Sequence, residues 1–216
     1  MANTEYITIK NASRKVLNRM RQIGIDKAQR LQEVQKRWDA GEYKNTEIVQ
    51  LWIVEDFIRI FRSPTGDVYH ITLSEDHSVL SSEVIDTLRD VNIVGIELRR
   101  LAGRNTTGHE VMAVLESTIA DFFAEHENVI ICYYCDFINS IPHTSKNTMP
   151  PQEYRSRLFA NMFQRYSHQH GITDVRLSVV EINGINEKYY FHVIYRETHS
   201  LLASMIGRDL KEGFDK

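Results

Sequence analysis

The groups best placed to do chemistry in this 216-residue chain lie between Arg99 and Arg157. Arg100, Arg104 and Gly108 fall in the run RRLAGRNTTG, residues 99–108, just ahead of a helical pattern. Arginines and glycines at a helix start can cradle a phosphate, because backbone N–H groups and the positive end of the helix dipole face the anion. Gly103 and Gly108 stand five residues apart, too far for one compact nest, so a plain surface loop accounts for the run as well. Asp136 heads a second group. It follows the β-forming run Val129 to Tyr134, and Arg155 and Arg157 come near the start of the next helical pattern. Such a set could bind a polar ligand, or Asp136 could pair with Arg155 simply to pin the helix. Arg196 and Glu197, at the end of the last strand pattern, could join it.

The two cysteines, Cys132 and Cys135, form C-Y-Y-C. Redox dithiols of this spacing work at a helix N-terminus, where the thiol pKa falls. Here the pair sits in a predicted strand, whose residues three apart face opposite sides, so two buried thiols are expected. Structural zinc takes four ligands as a rule, and the chain has no second cysteine pair. His168 and His170 flank a helix end and lack a carboxylate at useful spacing. Glu110 and Glu116 read as solvated positions of their helix. No metal is expected, and no Ser-His-Asp or Cys-His arrangement can be assembled from the sequence.

A helix, a strand and a second helix must position these groups. Val111, Val114, Leu115, Ile119, Phe122 and Phe123 recur at helical spacing, as do Tyr154, Leu158, Met162, Phe163 and Tyr166. Between them, Val129 to Tyr134 fits a strand covered on both faces. Residues 137–151 make a loop longer than typical connections. Upstream, SPTG at 63–66 predicts a hairpin between a long apolar run, Ile48 to Phe61, and Val68 to Leu73. Asn183-Gly184 predicts another between Asp174–Ile182 and Lys188–Tyr195. A short helix over 81–91, a strand over 92–98 and a terminal helix over 199–214 complete the body. The pattern predicts an α+β domain over 46–216, a mostly antiparallel sheet with helices packed on it.

Residues 1–45 read differently. They hold ten Lys/Arg against five Asp/Glu, whereas the remainder is acidic and the whole chain has net charge −3. The pattern is a strand, YITIK, then two helices separated at Gly24, the second with capping-box spacing at Asp26 and Gln29 and ending at Gly41. A basic strand-helix-helix module preceding an acidic body is the expectation.

Further signatures run through the body. STIADFFAEHENVIICYYCD, followed by YRSRLFANMFQRY, resembles an uncharacterised bacterial family of unknown function. The resemblance rests on Asp121-Phe122-Phe123, Tyr133 to Asp136 and Arg155 to Phe163, with YYFHVIYRETHS at 189–200 similar to that family's final strand. It spans about 47–214. Met162 stands where the family usually has tryptophan, the 137–151 stretch is longer than its linker, and the resemblance implies no activity. The order of strands and helices is also similar to that of acetyl-CoA-dependent N-acetyltransferases.

Three functional expectations follow. The first is an intracellular, cytoplasmic binding or regulatory protein without catalysis, cofactor or membrane span, self-associating through residues 1–45 or meeting another protein. The second is an N-acyltransferase-like enzyme using acetyl-CoA, with a degenerate phosphate loop at 99–108. The third is a DNA-binding regulator of ribbon-helix-helix type, in which Tyr6, Thr8, Lys10, Arg14 and Lys15 would meet nucleic acid.

Overall fold

The computed structural model describes residues 4–10, 12–41, 49–53, 56–77, 80–88, 90–105, 108–135 and 149–212. The protein is an α+β structure built on one mixed sheet. Its strands are β1 (Thr4–Ile9), β2 (Val49–Ile53), β3 (Asp56–Arg62), β4 (Val68–Glu75), β5 (Asn92–Ala102), β6 (Val129–Cys135), β7 (Val175–Asn183) and β8 (Lys188–Arg196). They lie in the order β1-β7-β8-β6-β5-β4-β3-β2. The pairs β1·β7 and β5·β6 are parallel, and the other five are antiparallel.

The helices are α1 (Arg14–Asp39), α2 (Ser82–Thr87), α3 (His109–Glu125), α4 (Pro151–Gln169) and α5 (Ser200–Glu212). Both faces of the sheet are covered, which is why its central strands are almost continuously apolar. On one face Val16, Met20 and Ile23 of α1 and Ala203, Ile206 and Leu210 of α5 pack on Ile130, Val180, Ile182, Phe191 and Val193. On the other, Val111, Leu115, Phe122 and Phe123 of α3 and Phe159, Ala160 and Met162 of α4 pack on Val94, Ile131, Leu177, Val179 and Ile194.

The hairpin predicted at 63–66 forms: Ser63 N–H donates to Asp67 O across 2.8 Å, and Gly66 takes φ +87°. That positive φ suits a residue without a Cβ. The hairpin at Asn183-Gly184 also forms, in register from Val175↔Arg196 to Asn183↔Lys188.

Several elements depart from expectation. The apolar run at 48–61 is two strands, β2 and β3, paired antiparallel. The expected separation of two helices at Gly24 does not occur, because α1 runs unbroken for 26 residues with Gly24 buried. An interior glycine costs about 1 kcal/mol relative to alanine, and packing of the α1 stripe on the sheet outweighs that. Asp26 caps nothing and instead accepts from Gln22 Nε2 one turn earlier (2.8 Å). Gly41, with φ +88°, does follow the helix end as expected. Strand β1 pairs with β7 in the main sheet, with Tyr6 opposite Val179. Tyr6, Thr8, Lys10, Arg14 and Lys15 are all exposed. Strand β5 reaches Ala102, so Arg100 belongs to a strand and not to the loop assigned to it.

Candidate ligand-binding cleft

Between α3 and α4 the helices stand apart over the ends of β7 and β8, leaving a cleft of about 210 Å³. The α3 wall is one row at helical spacing: Glu116, Ile119, Ala120, Phe123 and Ala124. Opposite it stand Phe159, Met162, Phe163, Tyr166 and Ser167 of α4, again one helical face. Val175, Ile194 and Arg196 form the floor. Ala120 and Ala124 explain the gap, since their short side chains do not reach α4. The lining is mostly apolar, the usual character of small-molecule sites, and the volume falls below the roughly 300–1,000 Å³ of sites for drug-sized ligands.

Two polar groups mark the walls. Arg196 donates from Nη1 to Asp174 Oδ2 (2.9 Å) and from Nη2 to the Phe123 carbonyl, while its guanidinium lies 5.7 Å from the Phe123 ring centroid. Glu116 is the second. It is not the solvated position its sequence context suggests: α4 folds over it and leaves its side chain 11% exposed. Its Oε1 is buried with no hydrogen-bond donor among the described residues, and Arg165 Nη2 stays 3.9 Å away. Burial pushes the Glu116 carboxyl above its ordinary range, partly offset by Arg165 and His170.

The groups singled out from sequence sit elsewhere. Arg100 Nη1 donates to the Asn105 carbonyl. The Asn105 N–H donates to Asp67 Oδ1 (3.2 Å), so this loop amide meets the protein's own carboxylate and not a free anion. A side chain at Gly103, where φ is +98°, would collide with the same Asp67. Burial raises the Asp67 carboxyl, but hydrogen bonds from Thr65 and Asn105, with the Arg100 charge, bring it below its ordinary value. Arg104 is exposed. Gly108 is the N-cap of α3, and the Glu110 carboxylate folds back over it, occupying the positive end of the helix.

Asp136 lies outside the described residues, and the ion pair expected with Arg155 therefore does too. Arg157 pairs with Glu153 one turn back (2.7 Å) and is exposed. Antiparallel pairing places Tyr195, just before Arg196, beside Ile130, at the opposite end of β6 from Cys135. Tyr154, assigned to the apolar stripe of α4, is exposed.

Both cysteines are free and buried, as expected, but Cys135 has company that the sequence did not reveal. Its Sγ lies 3.6 Å from His192 Nδ1, and His192 Nε2 lies 3.2 Å from Ser156 Oγ. Burial lowers the His192 pKa to about 4, so the imidazole is neutral and a weak proton acceptor at neutral pH. Burial raises the Cys132 thiol, keeping it protonated and unreactive.

Lys27 was also missed. The parallel pairing of β5 and β6 stops after Gly95↔Cys132, although both strands continue. Lys27 of α1 fills the split: its Nζ donates to Tyr134 O (3.2 Å) and Ile96 O (3.5 Å) and lies 4.9 Å from the Tyr133 ring centroid. Only the pairing register exposes this demand for a donor. Glu116 had a weak signal, since it heads the row that continues through Ile119 and Phe123.

No helix among the described residues is long and apolar enough to cross a membrane. No protein-family model matches the chain, and no characterised protein matches it in sequence.

Proposed function

We propose that this is a non-catalytic binding protein whose ligand is a small, mostly apolar molecule held between α3 and α4. The observation carrying this reading is the cleft itself, an apolar space of about 210 Å³ with one poorly satisfied carboxyl in its wall. An engineered apolar cavity of about 150 Å³ takes up benzene, so a ligand somewhat larger than benzene suits this one.

The acyl-CoA reading has less support. The Asn105 amide is engaged by Asp67, and the Glu110 carboxylate sits where a phosphate would meet the α3 terminus. Two carboxylates at that point oppose a pyrophosphate. Burial of the Cys135–His192 pair, with the His192 pKa lowered to about 4, supports the non-catalytic reading.

Thermal unfolding with a homologous series of C4 to C8 alcohols tests the proposal. Stabilisation should rise with chain length until the cleft is full, then level off. At about one hundred times the dissociation constant the gain is about 2.7 kcal/mol. Uniform destabilisation across the series, as for a co-solvent acting on the unfolded chain, would contradict it.

A further inference from the structure

We infer that the ligand of this cleft is an organic cation, a primary amine on an apolar body, with its ammonium group at Glu116. This rests on the cleft reading above and adds the chemistry of the head group.

Charge accounting around the walls comes first. Among the described residues, Asp174, Glu116 and Arg196 are the Asp, Glu and Arg side chains in the lining. Asp174 and Arg196 neutralise each other at 2.9 Å. Glu116 is negative and is offset only in part by Arg165, 3.9 Å away on an exposed side chain that solvent screens.

Two buried atoms of the lining have no hydrogen-bond partner among the described residues, the acceptor Glu116 Oε1 and the donor Arg196 Nε, and the charge of Arg196 is already met by Asp174. Glu116 Oε1 is buried and receives no donor from the described residues. Arg165 cannot supply one at 3.9 Å, and its side chain is 59% exposed, so solvent weakens its pull. A buried acceptor without a partner is destabilising, and a ligand N–H group would relieve it. An anionic ligand would instead face the Glu116 carboxylate in an apolar setting, and a purely hydrocarbon ligand would leave Oε1 unmet.

The aromatic lining suits a cation as well. Phe159, Phe163 and Tyr166 stand on the facing helix, and ring faces attract ammonium groups. From Glu116 the α3 row continues seven residues to Phe123, about 10 Å along the helix, which sets the length of the apolar body.

The test is an NMR titration of the full chain with n-hexylamine, n-hexanol and hexanoate, each also against Glu116→Gln. The amine should bind at least tenfold more tightly than the alcohol, and hexanoate most weakly. In Glu116→Gln the amine should lose that advantage while the alcohol keeps its affinity. Equal binding of amine and alcohol by the unaltered protein overturns the head-group assignment and leaves the cleft reading standing. An amine preference that survives in Glu116→Gln overturns the role of Glu116. If none of the three shifts the methyl resonances of Ile119, Met162 and Ile194, the cleft reading fails and takes this inference with it. The head-group comparison on the unaltered protein decides the matter even if the variant folds poorly.

Discussion

Asp67 Oδ1 accepts a hydrogen bond from the Asn105 backbone N–H at 3.2 Å, tying the β3–β4 turn to the loop that follows β5. The loop with the best phosphate-binding composition in the chain is thereby closed on an internal carboxylate. Asp67→Ala should lower the melting temperature and loosen Asn105, read as faster amide exchange there. Asp67→Asn should restore part of the loss through its side-chain carbonyl. Unchanged exchange at Asn105 in Asp67→Ala would show that the contact does not hold the loop.

Lys27 should contribute stability despite its burial. Lys27→Met keeps the apolar stem but leaves the Ile96 and Tyr134 carbonyls without this donor. Two opposing effects compete, the cost of a buried ammonium and the cost of unmet carbonyls. The carbonyls cannot reach each other's strands across the split, so the second should dominate, with a loss of about 1–3 kcal/mol in urea unfolding. A variant as stable as the parent would show that β5 and β6 re-pair or admit water.

Acid should destabilise the fold through its buried histidines. Burial, and Arg37 nearby, lower the His70 pKa to about 4, and burial alone lowers that of His192 to about 4, against 6.5 for the free side chain. Between those values the unfolded chain binds more protons than the folded one, so stability falls as pH drops from about 6.5 towards 4. Each histidine contributes at most about 3 kcal/mol to that loss. Urea midpoints measured across this range should fall, and His192→Gln should flatten the slope. A midpoint independent of pH would contradict the burial of both rings.

Filling the cleft should stabilise the protein and abolish its binding. Ala120→Leu adds three carbons to space that is already open, so relief of exposed apolar surface should outweigh crowding, by about 1–2 kcal/mol. Calorimetry should show a higher melting temperature and no further rise with hexanol. A lower melting temperature would mean that α3 and α4 already meet at Ala120.

Local signals in the sequence translated well into structure. SPTG and Asn183-Gly184 produced hairpins because turn chemistry is set by a few neighbouring residues. The α3 stripe, the β6 run and the buried cysteines were legible for the same reason. Gly24 misled because the gain from packing α1 on the sheet is not visible locally. The 48–61 run misled because an apolar stretch does not show where a chain reverses. Cys135 and His192 are 57 positions apart and meet only through the β6·β8 register. Glu116 acquires its character only once α4 lies over it, so the candidate site was largely hidden while most of the fold was not.

The most direct test of the cleft is a methyl-resolved NMR titration with hexanol. Ile119, Met162, Ile172 and Ile194 line the cleft, whereas Ile23 and Ile206 pack on the opposite face of the sheet. A ligand in the cleft should shift the first four saturably and leave the last two unmoved. Shifts that fall on the opposite face, or that grow linearly over all methyl groups without saturation, would contradict the account.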